Sequence, residues 1–281
     1  MMNYREVKNG LLPEEAEKWY RGIKKMDEHA VRLKELGLLP ESFASVEKAA
    51  EEPVKNPQLD FLRRTVDYVA NVDKLTPQLV TAYWRAKLKV DGARAGIDIS
   101  VPDCNWTEEE IRRPMVDIRG NKVPGLMVPN QFRGEEGLVA LSRIYPGAGF
   151  KESNSMFDVH DIGAFATWVK VEDTVYAPNR YSSEEDLEDF SKRSGYFGQR
   201  VSTYILASQA SRDLTGFYFD LGITGSKLTG SKMKGWFIFT DDYTPHFCFS
   251  SYGQLLRYSL IMHPDQRANN LGGRFEEVKR T

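Results

Sequence analysis

One lysine stands in a spacing that could give it covalent chemistry. Lys89 is followed by Asp91, Gly92 and Arg94 in the stretch LKVDGARAG. A lysine amine can act as a nucleophile that becomes attached to a substrate group. The pair Asp91-Gly92 is equally a preferred two-residue turn between antiparallel strands, because both of its positions need positive φ. The stretch therefore has a catalytic interpretation and a structural one.

The catalytic interpretation rests on the pattern Lys-x-Asp-Gly-x-Arg. This pattern resembles the nucleophile motif of ATP-dependent nucleic-acid ligases and capping enzymes, in which the lysine takes up a nucleotide monophosphate. The resemblance implies a lysine-adenylylating nucleotidyltransferase with Lys89 as its nucleophile. Two later segments, Glu136–Val139 and Lys232–Lys234, superficially match further motifs of that family. They lie much further apart than in that family, and no convincing acidic motif lies between Lys89 and Glu136.

The structural interpretation is a β-hairpin that turns at Asp91-Gly92. Strands over Trp84–Val90 and Ala93–Val101 place apolar side chains on one face and charged side chains on the other, as a half-buried hairpin requires. The charged face then holds four cations: Arg85, Lys87, Lys89 and Arg94. The sequence therefore predicts that this face is solvated, or that it binds an anionic ligand, a nucleic acid or an acidic protein.

A second cationic segment is a tandem repeat, TGSKL followed by TGSKM, over residues 224–233. Its Gly, Ser and Thr residues predict a long mobile loop between strands over Phe217–Leu221 and Trp236–Thr240. We expect this loop to contact a polyanion or a neighbouring subunit. Two lysines of this segment and the one that follows it join the candidate anion-binding residues: Lys227, Lys232 and Lys234.

Two histidines and an aspartate are candidate metal ligands. His160 and Asp161 lie together in FDVHDIG, and His246 opens a predicted strand that is followed by Arg257. This set resembles non-haem iron oxygenases that use a 2-oxo acid as cosubstrate, which implies an iron ion held by the three side chains. The family has Asp or Glu two residues after its histidine, whereas Ile162 stands there in this chain.

The elements before residue 84 are predicted to be helical. One helix is predicted from Pro13 to Gly37, a second over Glu41–Glu51 and a third over Gln58–Asn71. These apolar stripes must be covered by each other, by the rest of the chain or by another subunit. The stripe of the third helix consists of Leu59, Leu62, Val66 and Val69.

Short apolar runs separated by turn residues predict strands from residue 84 onward. Beyond the hairpin and the two strands beside the repeat, the predicted strands are Met115–Arg119, Val123–Val128, Leu138–Ile144, Ala164–Val171 and His246–Phe249. Two helices interrupt them. One is capped by Ser183 and Asp186 and ends near Gly195, and the other covers Gln199–Arg212.

The fold class is therefore α+β, with a helical N-terminal region over residues 1–83 and a mostly antiparallel β-rich region with a few interspersed helices over 84–281.

The 281 residues are 41% hydrophobic and 28% charged with a net charge of -2, which gives no overall preference for nucleic acid or for an anionic membrane. No stretch approaches the about 18 uninterrupted apolar residues of a membrane span. Cys104 and Cys248 lack metal-ligand spacing and are expected to be buried thiols. We expect a cytoplasmic location, or host cytoplasm or a virion.

These observations favour a non-catalytic structural, assembly or binding subunit of an oligomer, either virion-like or another large assembly. We expect it to self-associate, to use no cofactor, and to present a local basic face to a polyanion or an acidic protein. The first alternative is the iron-dependent oxygenase with a 2-oxo acid cosubstrate. The second is the lysine-adenylylating nucleotidyltransferase.

Overall fold

The computed structural model describes most of the chain from residue 56 onward. The described residues are 56–132, 134–146, 157–161, 166–220, 225–235, 246–250, 255–259, 267, 269 and 271–279. For residues 135, 157–161, 232–235, 246–250 and 255–259 the description covers the backbone alone. The helices predicted over 13–37 and 41–51 and the strand predicted over 236–240 lie outside the described residues. The chain divides into two compact units, Met1–Asp60 and Phe61–Thr281.

Helix α1 (Pro57–Ala70) confirms the helix that its apolar spacing predicts. Two aromatic side chains on its inner side, Phe61 and Tyr68, pack against Tyr83 of the next helix. Their ring centroids lie 6.1 and 4.9 Å from that of Tyr83. Aromatic packing therefore fixes one side of α1.

Helix α2 (Pro77–Ala95) shows that the predicted hairpin over residues 84–101 is wrong. Thr76 caps its start by accepting a hydrogen bond from the backbone N–H of Leu79 at 3.2 Å, and Pro77 follows at the first helical position. Gly96 ends it in the left-handed conformation, with φ of 68°. The predicted division between residues 83 and 84 falls within this helix.

The physical reason for this error is that α2 is buried on nearly all sides. Buried positions along it include Lys87 and Asp91 as well as apolar residues, so the sequence shows no helical stripe. The apolar residues at every second position from Trp84 to Val90 instead imitate a strand.

The next helices are α3 (Glu108–Arg112) and α4 (Gly134–Ile144). The strand predicted over Leu138–Ile144 is wrong, because these residues belong to α4. Three of its buried side chains, Leu138, Leu141 and Ile144, recur at intervals of three residues, which suits a helix better than a strand.

Two later helices confirm their predictions, α5 (Glu184–Ser194) and α6 (Val201–Thr215). The Ser183 hydroxyl accepts a hydrogen bond from the backbone N–H of Asp186 at 3.1 Å, and the Asp186 carboxylate accepts one from the backbone N–H of Ser183 at 2.7 Å. Helix α5 ends at Gly195 in the left-handed conformation. The capping box and glycine stop are thus formed as the sequence predicts.

The described strands form four sheets. Their ranges are β1 (Met115–Val116), β2 (Lys122–Val123), β3 (Gly125–Pro129), β4 (Phe157–Asp161), β5 (Trp168–Glu172), β6 (Phe197–Gly198), β7 (Gly225–Lys227), β8 (Ser231–Gly235), β9 (His246–Ser250), β10 (Leu255–Ser259), β11 (Leu271–Gly273) and β12 (Phe275–Val278). The sheet orders are β1-β2, β10-β9-β7-β11, β3-β5-β12-β6 and β4-β8. Only the β11–β7 pair among these is parallel.

The sheet β3-β5-β12-β6 lies against the main hydrophobic core. Strand β5 is buried along its whole length, and helices α2, α3 and α6 contact β3. The indole Nε1–H of Trp84 in α2 donates a hydrogen bond to the Met127 carbonyl of β3 at 2.7 Å. The core therefore fills the space between this sheet and the helices that cover it.

Four of the predicted strands are confirmed. They correspond to β1, to β2 together with β3, to β5, and to β9. The strand predicted over 217–221 is wrong where it is described, because Asp220 has a positive φ of 57° and its carboxylate joins a buried network. The loop predicted over the repeat is also wrong, because residues 225–227 and 231–235 form β7 and β8.

The fold is α+β, with antiparallel sheets and interspersed helices. None of the described helices combines the length and apolar character needed to cross a membrane.

Candidate functional site

Helix α2 separates the cations that the hairpin would group on one face. Arg85, Lys89 and Arg94 are exposed, whereas Lys87 is buried. Arg85 pairs with Asp103 at 3.1 Å. The prediction that the four cations share one face is therefore wrong, because residues two apart in a helix point in different directions. Arg85 and Lys89, four residues apart, remain neighbours on the helix surface.

Lys89 is the candidate nucleophile, and it lies on the exposed side of α2. Its attachment to a nucleotide stays a prediction. Incubation with ATP and magnesium followed by intact mass measurement tests it, with Lys89→Ala as the control.

Lys87 is the centre of a buried charge cluster. Its Nζ pairs with the Asp91 carboxylate at 2.9 Å and also with the Asp213 carboxylate of α6. The Tyr145 hydroxyl donates a hydrogen bond to Asp91 at 2.7 Å, and the Lys87 Nζ lies 5.6 Å from the ring centroids of Tyr145 and Phe61. Burial raises the pKa of Asp213 and of the Tyr145 hydroxyl. Lys87 and Asp91 are buried, whereas Asp213 is partly exposed, so the cluster links the two helices at the edge of the protein interior.

The lysines of the repeat, and Lys234 just after it, lie in strands. Lys227 ends β7, is buried, and donates a hydrogen bond from its Nζ to the Ser182 carbonyl at 3.2 Å. Lys232 and Lys234 lie in β8, opposite residues of β4. Their contact with a polyanion or a neighbouring subunit stays a prediction.

The predicted iron ligands lie on two different sheets. His160 and Asp161 are in β4, which pairs with β8, and His246 is in β9, which pairs with β7 and β10. Within the residues that the structure describes, no group of three His, Cys, Asp or Glu residues is placed to hold a metal ion. The iron site stays a prediction, and metal analysis of the purified protein with His160→Ala and His246→Ala variants tests it.

A buried network that the sequence does not reveal surrounds Arg274. Its guanidinium pairs with Asp220 at 2.8 Å, and it lies 4.1 Å from the ring centroid of Phe219. The Nε–H donates to the Ser226 hydroxyl at 3.1 Å. The remaining N–H groups also have acceptors, which are oxygens of Glu172, Thr174 and Tyr176. Each guanidinium N–H is thus satisfied within the chain, so that Arg274 crosslinks the core.

Glu172 is a fully buried carboxyl group beside this network. Its oxygens accept hydrogen bonds from the Asn179 side-chain amide at 3.0 and 3.2 Å and from the Phe275 backbone N–H at 2.8 Å. Burial raises the pKa of Glu172 to about 7, although these hydrogen bonds act in the opposite direction. The core therefore contains a group that changes its protonation near neutral pH.

The outer side of helix α1 is the candidate functional site. Leu59, Leu62 and Val66 are 57%, 54% and 44% exposed, and Val69 is partly exposed. Residues at this spacing are neighbours on one helix face. We define these four residues as the α1 stripe. Several large apolar side chains on a single exposed face indicate an interaction surface, whereas isolated ones do not.

The other exposed large apolar residues of the described part of the chain lie on separate elements. They are Val116, Val139, Tyr181 and Phe197. The sequence predicts the α1 stripe correctly as an apolar set, and the structure adds that the set lies at the surface. Comparisons of the chain with models of protein families, with curated protein sequences and with solved structures found no match.

Proposed function

We propose that the protein is a non-catalytic assembly subunit that pairs with a second copy of itself through the α1 stripe. The observation that supports this proposal is the exposure of Leu59, Leu62 and Val66 on one face of a regular helix. Burying a fully exposed side chain of this kind contributes about 1.5–3 kcal/mol. These three are 57%, 54% and 44% exposed, so each stands to gain roughly half of that when a partner surface covers the stripe.

The spacing of the stripe fits a partner that is a second copy. The steps from Leu59 to Leu62, Val66 and Val69 are three, four and three residues, which is the same in either direction. In an antiparallel pair centred on Arg64, Leu59 of one copy faces Val69 of the other, and Leu62 faces Val66. A two-fold interface requires this kind of self-complementarity.

The charges beside the stripe fit the same arrangement. Arg63 and Asp67 lie on the same side of the stripe, one turn apart. In the pair centred on Arg64, Arg63 of one copy lies about 3 Å along the helix axis from Asp67 of the other, since each residue rises ~1.5 Å. Such a pair at the rim of an interface contributes to orientation more than to affinity.

The buried cations also support a structural role over a catalytic one. The Lys170 Nζ donates hydrogen bonds to the carbonyls of Glu110 at 2.8 Å and Arg113 at 3.0 Å, and it pairs with the Glu277 carboxylate at 2.9 Å. This ammonium is thus held by two carbonyl oxygens and one carboxylate within the chain. Lys87 and Arg274 are occupied in the same way, so that a substrate would have to displace existing bonds.

The experiment compares two valines of nearly equal exposure on two helices. Val66 in the stripe is 44% exposed, and Val139 in α4 is 43% exposed. We expect Val66→Glu to convert the pair to single chains in sedimentation velocity, because it would bury a carboxylate in the interface. The matched Val139→Glu variant should sediment like the unchanged protein.

Circular dichroism checks that both variants are folded. The proposal is wrong if Val66→Glu leaves the sedimentation unchanged, or if Val139→Glu dissociates the pair to the same extent. A protein that is a single chain before any substitution would show that something other than a second copy covers the stripe.

A further inference from the structure

Asn179 joins a buried carboxyl group of the core to a turn at the surface. Its side-chain nitrogen donates hydrogen bonds to both oxygens of Glu172, at 3.0 and 3.2 Å, and to the Gly273 carbonyl at 3.0 Å. Its side-chain oxygen accepts a hydrogen bond from the backbone N–H of Ile118 at 2.8 Å. Asn179 and Glu172 are both buried. The two ends of one amide group therefore hold two separate parts of the chain together.

Ile118 belongs to the turn that connects β1 with β2. The turn is closed by its own bonds, such as the one from the Gly120 N–H to the Asp117 carbonyl at 3.0 Å. A second bond between the turn and the segment after Asn179, donated by the Arg119 guanidinium at 3.2 Å, is exposed to water, which competes for it. Asn179 is thus a buried attachment of the turn to the core.

The ionisation of Glu172 governs which way the Asn179 amide faces. An ionised carboxylate only accepts hydrogen bonds, so it requires the NH₂ end of Asn179 and leaves the oxygen end for Ile118. The Phe275 N–H, which donates to Glu172 at 2.8 Å, fits the same form. A protonated carboxyl group has an O–H that needs an acceptor, and rotation of the amide brings the Asn179 oxygen to it. The Ile118 N–H then faces an NH₂ group and loses its partner.

Two charged groups outside β5 act on this ionisation. Burial raises the pKa of Glu172 to about 7, the Arg274 guanidinium acts against this shift, and Asp117 of the turn adds to it. Burial, with Glu172 among the smaller causes, raises the pKa of Tyr196, so this phenol stays neutral in the same range. Both forms of Glu172 are therefore populated near neutral pH.

We propose that uptake of a proton by Glu172 reverses the Asn179 amide and so releases the turn between β1 and β2 from the core. The turn is fixed when Glu172 is ionised and loosened when Glu172 is protonated. The exposed Arg119 and Gly120 lie on this turn, so a change of charge in the interior reaches the surface. This device is independent of the pairing proposed for α1.

Amide exchange of the full chain, measured by NMR at weakly acidic and weakly alkaline pH, tests the proposal. The protection factor, which is the intrinsic exchange rate divided by the measured rate, removes the direct effect of pH. We expect the protection factor of the Ile118 amide to be about three- to tenfold lower at acidic pH, the effect of one lost hydrogen bond. The Gly120 amide is the control within the same turn and should keep its protection factor, because its acceptor is the Asp117 carbonyl.

Two variants and one control assign the effect to this relay. Glu172→Gln cannot ionise, so the Ile118 amide should have the same protection factor at both pH values. Asn179→Gly removes the amide and tolerates the positive φ of 51°, so the Ile118 amide should be weakly protected at both. Glu185→Gln changes an exposed acid of α5 and should keep the pH dependence of the unchanged protein.

The proposal is overturned if the Ile118 protection factor of the unchanged protein does not fall at acidic pH, or if Glu172→Gln keeps that fall. If Glu172→Gln does not fold, Asn179→Gly decides the question, because a pH dependence that survives in it would also overturn the proposal.

Discussion

The ammonium of Lys87 in helix α2 pairs with the carboxylate of Asp213 in helix α6, 126 residues further along the chain. A second carboxylate, that of Asp91, lies 2.9 Å from the same Nζ. Lys87 therefore occupies a buried site between two acids. This pairing explains how a helix with charged residues in its middle can lie inside the protein.

Removal of this cation should destabilise the fold. We expect Lys87→Met to lower the free energy of unfolding by about 3–5 kcal/mol, because the buried Asp91 would then be left without its ion-pair partner. Lys89→Met is the matched control on the exposed side of the same helix and should change stability by less than about 0.5 kcal/mol. Urea denaturation measures both. Equal losses for the two variants would place Lys87 at the surface.

Gly92 provides a test of the helical conformation of this segment. Alanine normally stabilises a helix interior by about 1 kcal/mol relative to glycine. A Cβ atom at Gly92, however, would lie 2.4 Å from the Ile97 carbonyl oxygen and 2.8 Å from the Ile99 Cδ1. We therefore expect Gly92→Ala to lower the stability by about 1–3 kcal/mol in thermal or urea denaturation.

The exposed neighbour Ala93 gives the comparison for this test. Ala93→Gly should cost about 1 kcal/mol, the difference in helix propensity alone. A gain in stability for Gly92→Ala would show that the chain after α2 does not pack against this glycine.

The buried Glu172 predicts a pH dependence of stability. Its pKa is about 7 in the folded protein and near 4.5 in its ordinary state. Between these values the folded state keeps a proton that the unfolded state releases, so the free energy of unfolding falls as the pH rises through this window. The contribution of the protonated Glu172 to the free energy of unfolding is fully present below pH 4.5. Its total size is about 3 kcal/mol.

The Glu172→Gln variant isolates this contribution because it cannot ionise. We expect the stability of the variant relative to the unchanged protein to improve by up to about 3 kcal/mol between weakly acidic and weakly alkaline pH. Urea denaturation at both ends of the window gives this difference. A difference that does not vary with pH would mean that Glu172 is ionised throughout.

Local signals in the sequence predict the elements that depend on neighbouring residues. The capping box of Ser183 and Asp186 places α5, and the apolar spacing of the α1 stripe places α1. The start and stop signals of α2, Thr76-Pro77 and Gly96, are also present in the sequence. The alternation over residues 84–90 outweighs them in the prediction, because the charged Lys87 and Asp91 lie on the buried part of the helix and interrupt its apolar face.

The buried networks depend on tertiary contacts that no local pattern encodes. Arg274 reaches Asp220 and Ser226 from a position 54 and 48 residues away. The positive φ of Asp220, at 57°, belongs to a residue type that tolerates it but gives no specific sign of it. A cavity lined in part by Trp106 likewise joins residues of α3, α5 and β12. Such sites become visible only when the elements are assembled.

The central claim is that two copies of the chain pair through the α1 stripe. Light scattering coupled to size-exclusion chromatography, over a range of protein concentrations, measures the mass of the particle in solution directly. We expect a mass of two chains, or of a larger even number, because a two-fold contact joins copies in pairs. A mass of one chain at every concentration would contradict the claim.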